Sequence, residues 1–216
     1  MKVAIIGTGN IGKALGGTLT RAGHDVTLAA QDVDKTREVA REVGASAAAQ
    51  PVDAARDADV IVLAVPYGAL DDVAREIKSE ATDKVVIDVT NPLTPDYSGL
   101  ATAGGPSAAE HLAKQLPKAK VAKAFNTILG SVQADPKALG TTVDGLFATD
   151  DAGARAKVTE LLRSAGFRPV DAGSLDAARQ LEAMAFLNIS MQMAFNGEWR
   201  SAFVIVNPPE AAAKAA

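Results

Sequence analysis

Short apolar runs alternate with longer amphipathic stretches along most of this chain. The runs are Val3–Ile6, Val26–Ala29, Val60–Val65, Val85–Val89, Lys120–Ala124 and Leu146–Ala148. Between them, apolar residues recur at helical spacing over Ile11–Ala22, Lys35–Val43, Leu70–Lys78, Ala108–Leu116 and Ala152–Ala165. Strands that are apolar almost throughout, separated by amphipathic helices, predict a mostly parallel sheet covered on both faces. Gly23, Gly44 and Gly166 follow three of the helices, where a left-handed residue commonly ends a helix. The expected fold is a doubly wound α/β domain of Rossmann type over residues 1–172, with Arg168–Val170 adding a strand after the last helix.

The pattern changes after Leu175. Asp176–Phe195 reads as one long helix, with Leu181, Met184, Ala185, Asn188, Met191, Gln192 and Phe195 near one stripe. Asn196-Gly197 ends it, and Trp199–Val206 forms a short closing segment. Residues 173–207 are therefore expected to be a small C-terminal helical portion, and 208–216, which opens on Pro208-Pro209, a flexible tail. Thr90–Pro106 is a polar loop with three prolines, a length that loops usually reach for functional reasons.

Composition narrows the chemistry. With no Cys and two His in 216 residues, thiolate catalysis, zinc–cysteine sites and multi-histidine metal cages are excluded. A net charge of −4 and 4% aromatic residues argue against a nucleic-acid partner, which needs a basic face or a stacking platform. Met1–Ile6 is too short for a signal peptide, and Ala183–Phe195 is interrupted by Asn188, Ser190 and Gln192. A cytoplasmic protein without a membrane partner is expected.

Gly7-Thr8-Gly9-Asn10-Ile11-Gly12 joins the first strand to the first helix. This G-x-G-x-x-G spacing has a mechanical basis. Gly7 permits the tight turn, Gly9 lets the backbone approach a pyrophosphate, and Gly12 lets helix and strand pack closely. The pyrophosphate would lie at the positive helix N-terminus. The end of the second strand usually decides between NAD and NADP. Here Ala29-Ala30-Gln31-Asp32 places no acid at the strand end and no Arg either. Lys35 and Arg37 supply charge from the next helix, while Asp32 is close enough to hold a 2′-hydroxyl. The reading leans to NADP, with NAD open.

Two further strand ends fall on the edge where open α/β sheets bind ligands. Val65-Pro66-Tyr67 sets a turn beside the expected nicotinamide, and Thr90-Asn91-Pro92 offers hydroxyl and amide groups to ribose or carboxamide. Asn126 and Thr127 are the leading polar residues for the nicotinamide or acceptor ring, the alternative being a capped turn. Met184, Met191, Met193 and Phe195 fit core packing, a homodimer contact or an apolar wall for a flat ring. His24 and His111 read as structural and surface residues, and no catalytic side chain is assigned.

The sequence also resembles the NADP-dependent reductases of coenzyme F420, the 8-hydroxy-5-deazaflavin hydride carrier. The resemblance runs through Gly7–Gly12, Ala22-Gly23-His24, Ala64-Val65-Pro66, Val121–Thr127, Ala165–Leu175 and Ala178–Glu182, then Asn196-Gly197 and Ser201-Ala202-Phe203. Lys123-Ala124-Phe125-Asn126-Thr127 and Gly173-Ser174-Leu175, followed by Ala178-Arg179, also recur in the cytosolic reductase domain of the six-transmembrane metalloreductases. The resemblance implies an NADP site in which Thr8, Asn10 and Ile11 hold the pyrophosphate and Pro66 and Asn91 border the nicotinamide. Ala124 to Ile128 would lie between the two redox carriers, and the C-terminal portion would line the deazaflavin site. The family's Ser-Arg anchor for the 2′-phosphate is Ala30-Gln31 here, with only Lys35 fitting the Lys that follows. The expected activity is hydride transfer between NADP(H) and F420, or FMN or FAD, ending in the flavin case on ferric iron or a quinone. A non-enzymatic dinucleotide sensor is the competing reading.

Overall fold

β1 (Lys2–Ile6), β2 (Asp25–Ala29), β4 (Val60–Leu63), β5 (Val85–Asp88) and β6 (Lys120–Ala124) pair in parallel, with the short β3 (Ser46–Ala47) at the edge. The computed structural model describes residues 1–207. Its eight-stranded sheet has the order β3-β2-β1-β4-β5-β6-β7-β8. Strand order reverses between β1 and β4, which opens a crevice beyond their carboxyl ends, the switch point of doubly wound folds. β7 (Asp144–Thr149) runs antiparallel to β6, and β8 (Arg168–Asp171) follows β7 in parallel. The expected Rossmann architecture is therefore present, with its last two strands reversed.

The alternation of side chains across the pleat divides the interior in two. On one face Val3, Ile5, Leu28, Val62 and Ile87 meet α1 (Asn10–Arg21), α2 (Val33–Val43) and α7 (Ala152–Ser164). On the other, Ile6, Ile61, Leu63 and Val86 meet α3 (Pro51–Arg56), α4 (Leu70–Glu76) and α5 (Ala108–Gln115). Two helices were not expected from the sequence: α3 and α6 (Gly130–Ala134) are too short to establish a helical period. α6 packs on α1, where the Thr18 hydroxyl donates to the Gln133 carbonyl at 2.6 Å.

The long C-terminal helix is observed as α8 (Ala178–Ala194), entered through a single 3₁₀ turn at Leu175–Ala177. The segment after it, 199–206, has no regular structure. It is tied to the sheet by Ile205 N–H donating to Asp144 at 2.6 Å and by Arg168, which pairs with Asp144 and donates to the Ile205 carbonyl. No helix among the described residues is long and apolar enough to cross a membrane. The expected tail, 208–216, lies outside the described residues.

Candidate functional site

The turn after β1 is built from close backbone approaches. Gly7 has φ +116°, and its N–H donates to the Ala29 carbonyl at 2.8 Å. A Cβ on Gly7 would stand 2.1 Å from the Ala64 carbonyl oxygen, and one on Gly12 would stand 1.9 Å from that of Gly7. These two glycines and Ala64 thus lock the ends of β1 and β4 to the start of α1. Gly9 is different: its φ is −72°, and a Cβ there would meet nothing within 4 Å. The open space lies at the N-terminus of α1, which carries no side-chain cap. Thr8 is buried beside it, and Asn10 is exposed.

At the end of β2, Ala30 is half-buried and Gln31 exposed. The Asp32 carboxylate caps α2 by accepting the Lys35 N–H at 3.0 Å. Arg37 pairs with Asp34, whereas the exposed Lys35 ammonium joins no ion pair among the described residues. On the other side of the crevice, β4 ends two residues earlier than expected, and Val65-Pro66 turns into a 3₁₀ helix over Tyr67–Ala69.

A cavity of about 690 Å³ lies between α1, the loops after β5 and β6, and α8. Asn10, Ile11, Asn91, Asn126 and Thr127 line it together. Gly7, Thr8, Gly9 and Gly12 do not line it, nor do Gln31, Lys35, Ala64, Val65 and Pro66, nor the buried Pro92 and Ala124. Of the readings open for the methionine stripe, a wall for a flat ring is not the one observed. Ala185 and Ile189 supply the α8 side, while Met191, Met193 and Phe195 point outward and are exposed.

The cavity floor is a strained, tightly bonded turn. Phe125, fully buried, has φ +62°, a conformation that costs about 1–3 kcal/mol and tends to mark functional sites. Its ring meets Phe167 edge-on at 6.4 Å, and Gln133 Nε2 donates to the Phe125 and Ile128 carbonyls at 3.0 and 2.8 Å. Asn126 Nδ2 donates to Asn91 Oδ1 at 3.0 Å and to the Leu181 carbonyl at 3.1 Å. Three buried atoms on residues lining the cavity have no partner, Asn126 Oδ1, Thr127 Oγ1 and Gln133 Oε1, nor has Thr90 Oγ1 on the residue before Asn91. Each such atom costs about 1–3 kcal/mol unless something meets it, so the cluster is suited to a polar ligand edge.

Beneath this floor lies a charged cluster that the sequence reading did not single out. Lys123 Nζ donates to Asp88 Oδ2 at 2.9 Å, to the Thr90 carbonyl at 2.5 Å and to Glu182 Oε1 at 2.8 Å. Glu182 Oε1 also accepts the Ala108 N–H at 2.9 Å. Burial pushes the Glu182 carboxyl up, against the opposing pull of the Lys123 ammonium. A lysine inside the run Val121–Phe125 was the available signal, since a charge is rarely buried unpaired.

Two aromatics stand at the cavity mouth, both with left-handed backbone: Tyr97 (φ +58°) and Trp199 (φ +55°). Tyr97 sits in a turn where Asp96 Oδ1 accepts from the Thr94 hydroxyl at 2.6 Å and the Ser98 hydroxyl at 2.8 Å. These bonds hold the Asp96 carboxyl down at about 2. Trp199 hangs from α8 through its N–H to Gln192 Oε1 at 2.8 Å. The polar residues that interrupt the α8 sequence, Asn188 and Gln192, bond with Ser201 and so fasten the closing segment. The histidines are remote from the cavity: His24 bonds Ser164 Oγ at 2.8 Å, and His111 bonds Asp71 at 2.8 Å.

A family model described as NADP oxidoreductase, coenzyme F420-dependent, matches residues 2–92. The F420-dependent NADP reductase of Methanothermobacter thermautotrophicus is 32% identical over 227 aligned positions, covering 97% of each chain. The chain belongs to the F420-dependent NADP reductase family. It is thus an NADP-dependent oxidoreductase by descent, as the glycine turn and the motifs from Lys123 to Glu182 led us to expect. A solved structure of a candidate F420-dependent NADP reductase from Arthrobacter sp. FB24 superposes with a TM-score of 0.85 at 26% identity, covering 95% of this chain and all of the other. Metalloreductase STEAP3 of Rattus norvegicus is 30% identical across 85% of this chain, which spans 36% of that longer protein.

Proposed function

We propose that this protein passes hydride between NADP(H) and a deazaflavin coenzyme of the F420 type, both held along the crevice above β1, β4, β5 and β6. The observation that carries this reading is the set of three unpartnered buried polar atoms, Asn126 Oδ1, Thr127 Oγ1 and Gln133 Oε1, on residues lining a cavity reached by the start of α1. In this reading the backbone around Gly7, Thr8, Gly9, Asn10, Ile11 and Gly12 receives the pyrophosphate, where Gly9 leaves room and α1 presents uncapped N–H groups. Lys35, unclaimed by any carboxylate among the described residues, faces the 2′-phosphate, with Gln31 beside it. Ala64, Val65 and Pro66 border the nicotinamide on one side, and Asn91 with its neighbour Pro92 on the other. Asn126 and Thr127 meet its carboxamide or the acceptor ring, on a turn that Ala124 anchors in the core.

When bound, the two carriers supply the redox chemistry themselves. The protein's residues align and shield: the Asn91–Asn126 pair fixes two loops, Phe125 and Ile128 exclude water, and Ala185 and Ile189 close the far side. No side chain is needed as acid or base for the hydride step, so rate comes from positioning. Residues 1–172 hold the dinucleotide, and 173–207 complete the acceptor site. The exposed Leu187 and Met191 on α8, with Phe195 just past its end, suit a contact with a second copy.

Mixing the protein with NADPH and oxidised F420 tests the reading: the deazaflavin absorbance should fall as NADP⁺ forms in equal amount. Binding of NADPH without turnover would overturn it. FMN or FAD as acceptor is the second reading, favoured by the similarity to metalloreductase STEAP3. The same assay with each flavin distinguishes the two.

A further inference from the structure

Lys123 and Glu182 join the dinucleotide half to the C-terminal wall of the cavity, though neither side chain lines it. Both are fully buried. The ammonium is held at three points on three segments: Asp88 on β5, the Thr90 carbonyl just past β5, and Glu182 on α8. Each segment leads directly into the cavity. Asn91 follows Thr90 in the chain and lines the cavity, as do Ala185 and Ile189, three and seven positions beyond Glu182 on the same helix. Residues spaced i, i+3 and i+7 share one helix face, so the anchor at Glu182 sets the axial position of that face over the cavity.

We infer that Lys123 and Glu182 are positioning residues, whose bond sets the register of α8 over the cavity and so defines its acceptor side. The glycine turn depends on neither of them, because it is locked by Gly7, Gly12 and Ala64 through close backbone contacts. A directional bond at a buried point suits this task. An apolar contact there would permit α8 to slide, whereas moving Glu182 off Lys123 takes its buried carboxylate from the ammonium and from the Ala108 N–H.

This inference rests on the two-carrier reading for its kinetic consequence, but it has a readout of its own. Glu182→Leu removes the anchor and leaves Lys123 paired with Asp88, so no charge is stranded. Glu182→Gln keeps an acceptor for both Lys123 and the Ala108 N–H. The expected result for Glu182→Leu is at least a tenfold rise in KM for F420, with the Kd for NADPH unchanged within twofold. Glu182→Gln should restore the wild-type KM. Independently of turnover, hydrogen exchange in α8 should speed up in the Leu variant but not in the Gln variant. Emission from Trp199, the sole tryptophan, should shift in the Leu variant alone.

A folded Leu variant with wild-type exchange in α8 and wild-type KM would overturn the inference, as would an equal loss of NADPH and F420 affinity. If the Leu variant does not fold, the neutral triple variant Lys123→Met, Asp88→Asn, Glu182→Gln provides the same comparison, because uncharged partners often replace a buried ion cluster without loss of stability. It keeps acceptors for the Ala108 and Thr90 N–H groups but frees the Thr90 carbonyl beside Asn91, so its readout is faster exchange in α8 and a shifted Trp199 emission rather than the Kd for NADPH. Wild-type behaviour of the triple variant would overturn the inference. Absence of F420 turnover by the wild-type protein would sink the functional reading alone, since the exchange and emission measurements decide the anchor separately.

Discussion

Asn91 and Asn126 bond to each other twice: Asn91 Nδ2 donates to the Asn126 carbonyl and Asn126 Nδ2 to Asn91 Oδ1, each at 3.0 Å. The exchange splices the loop after β5 to the loop after β6 and uses both asparagine amide groups as donors. What it leaves unsatisfied is acceptor and hydroxyl capacity, at Asn126 Oδ1 and Thr127 Oγ1.

Thr127→Val removes a buried hydroxyl that has no partner in the protein. The variant should be as stable as the wild type or more so, by up to about 1 kcal/mol in urea unfolding. Its kcat should fall about tenfold if the hydroxyl meets a carrier, the effect of losing roughly one hydrogen bond. A stable variant with unchanged kcat and KM would remove Thr127 from the site.

The three glycines of the turn should separate cleanly. Gly9→Ala places its methyl in open space, so stability should change by less than about 1 kcal/mol while the Kd for NADPH rises. Gly12→Ala drives a methyl against the Gly7 carbonyl and should cost at least about 2 kcal/mol of stability. Thermal melts with and without NADPH distinguish these outcomes.

Lys35→Ala tests the choice of nucleotide. The Kd for NADPH should rise about tenfold, near the 1.4 kcal/mol that a tenfold affinity change represents, with the Kd for NADH unchanged. Equal losses for both nucleotides would place Lys35 away from the 2′-phosphate.

Arg179 Nε donates to Glu110 Oε2 at 2.7 Å, and Glu110 in turn caps α5 with Ser107. The Arg179 guanidinium, with help from Ser107, holds the Glu110 carboxyl down at about 2, below its ordinary 4.5. A lowered carboxyl contributes stability that is complete above about pH 4.5 and fades as pH drops through about 2. Glu110→Gln should therefore lower Tm by about 2–4 °C at pH 7, the half-exposed Arg179 limiting the effect. The gap from wild type should close between pH 4.5 and 2. A gap that persists at pH 2 would assign the stabilisation to packing instead.

Leu187 on α8 and Phe195 just past its end are 54% and 81% exposed. Light scattering should give twice the mass of the 22.1 kDa chain, and Leu187→Glu should halve it. A monomeric wild type would show that this face serves no copy of the chain.

Much of this architecture was readable in the sequence because β1, β2, β4, β5 and β6 are buried on both faces and must be apolar throughout. The glycine turn was equally legible, since Gly7 and Gly12 answer to contacts within one βα unit. The cavity wall was not. Ala185 and Ile189 are ordinary helix residues that matter through where α8 lands, and that depends on Lys123, Asp88 and Glu182, which are far apart in the chain. The reversal of β7 also escaped notice, because parallel and antiparallel strands buried on both faces share the same apolar pattern.

That reversal has a consequence for synthesis. After β6 and α6 the chain returns to line the cavity at α8 and Trp199, beyond both reversed strands. The glycine turn and the parallel strands beside it are all made by the time Ala124 is added. The wall formed by Ala185, Ile189 and Trp199 follows some sixty residues later or more. The nascent chain thus completes its glycine turn while the far wall of the cavity is still unmade.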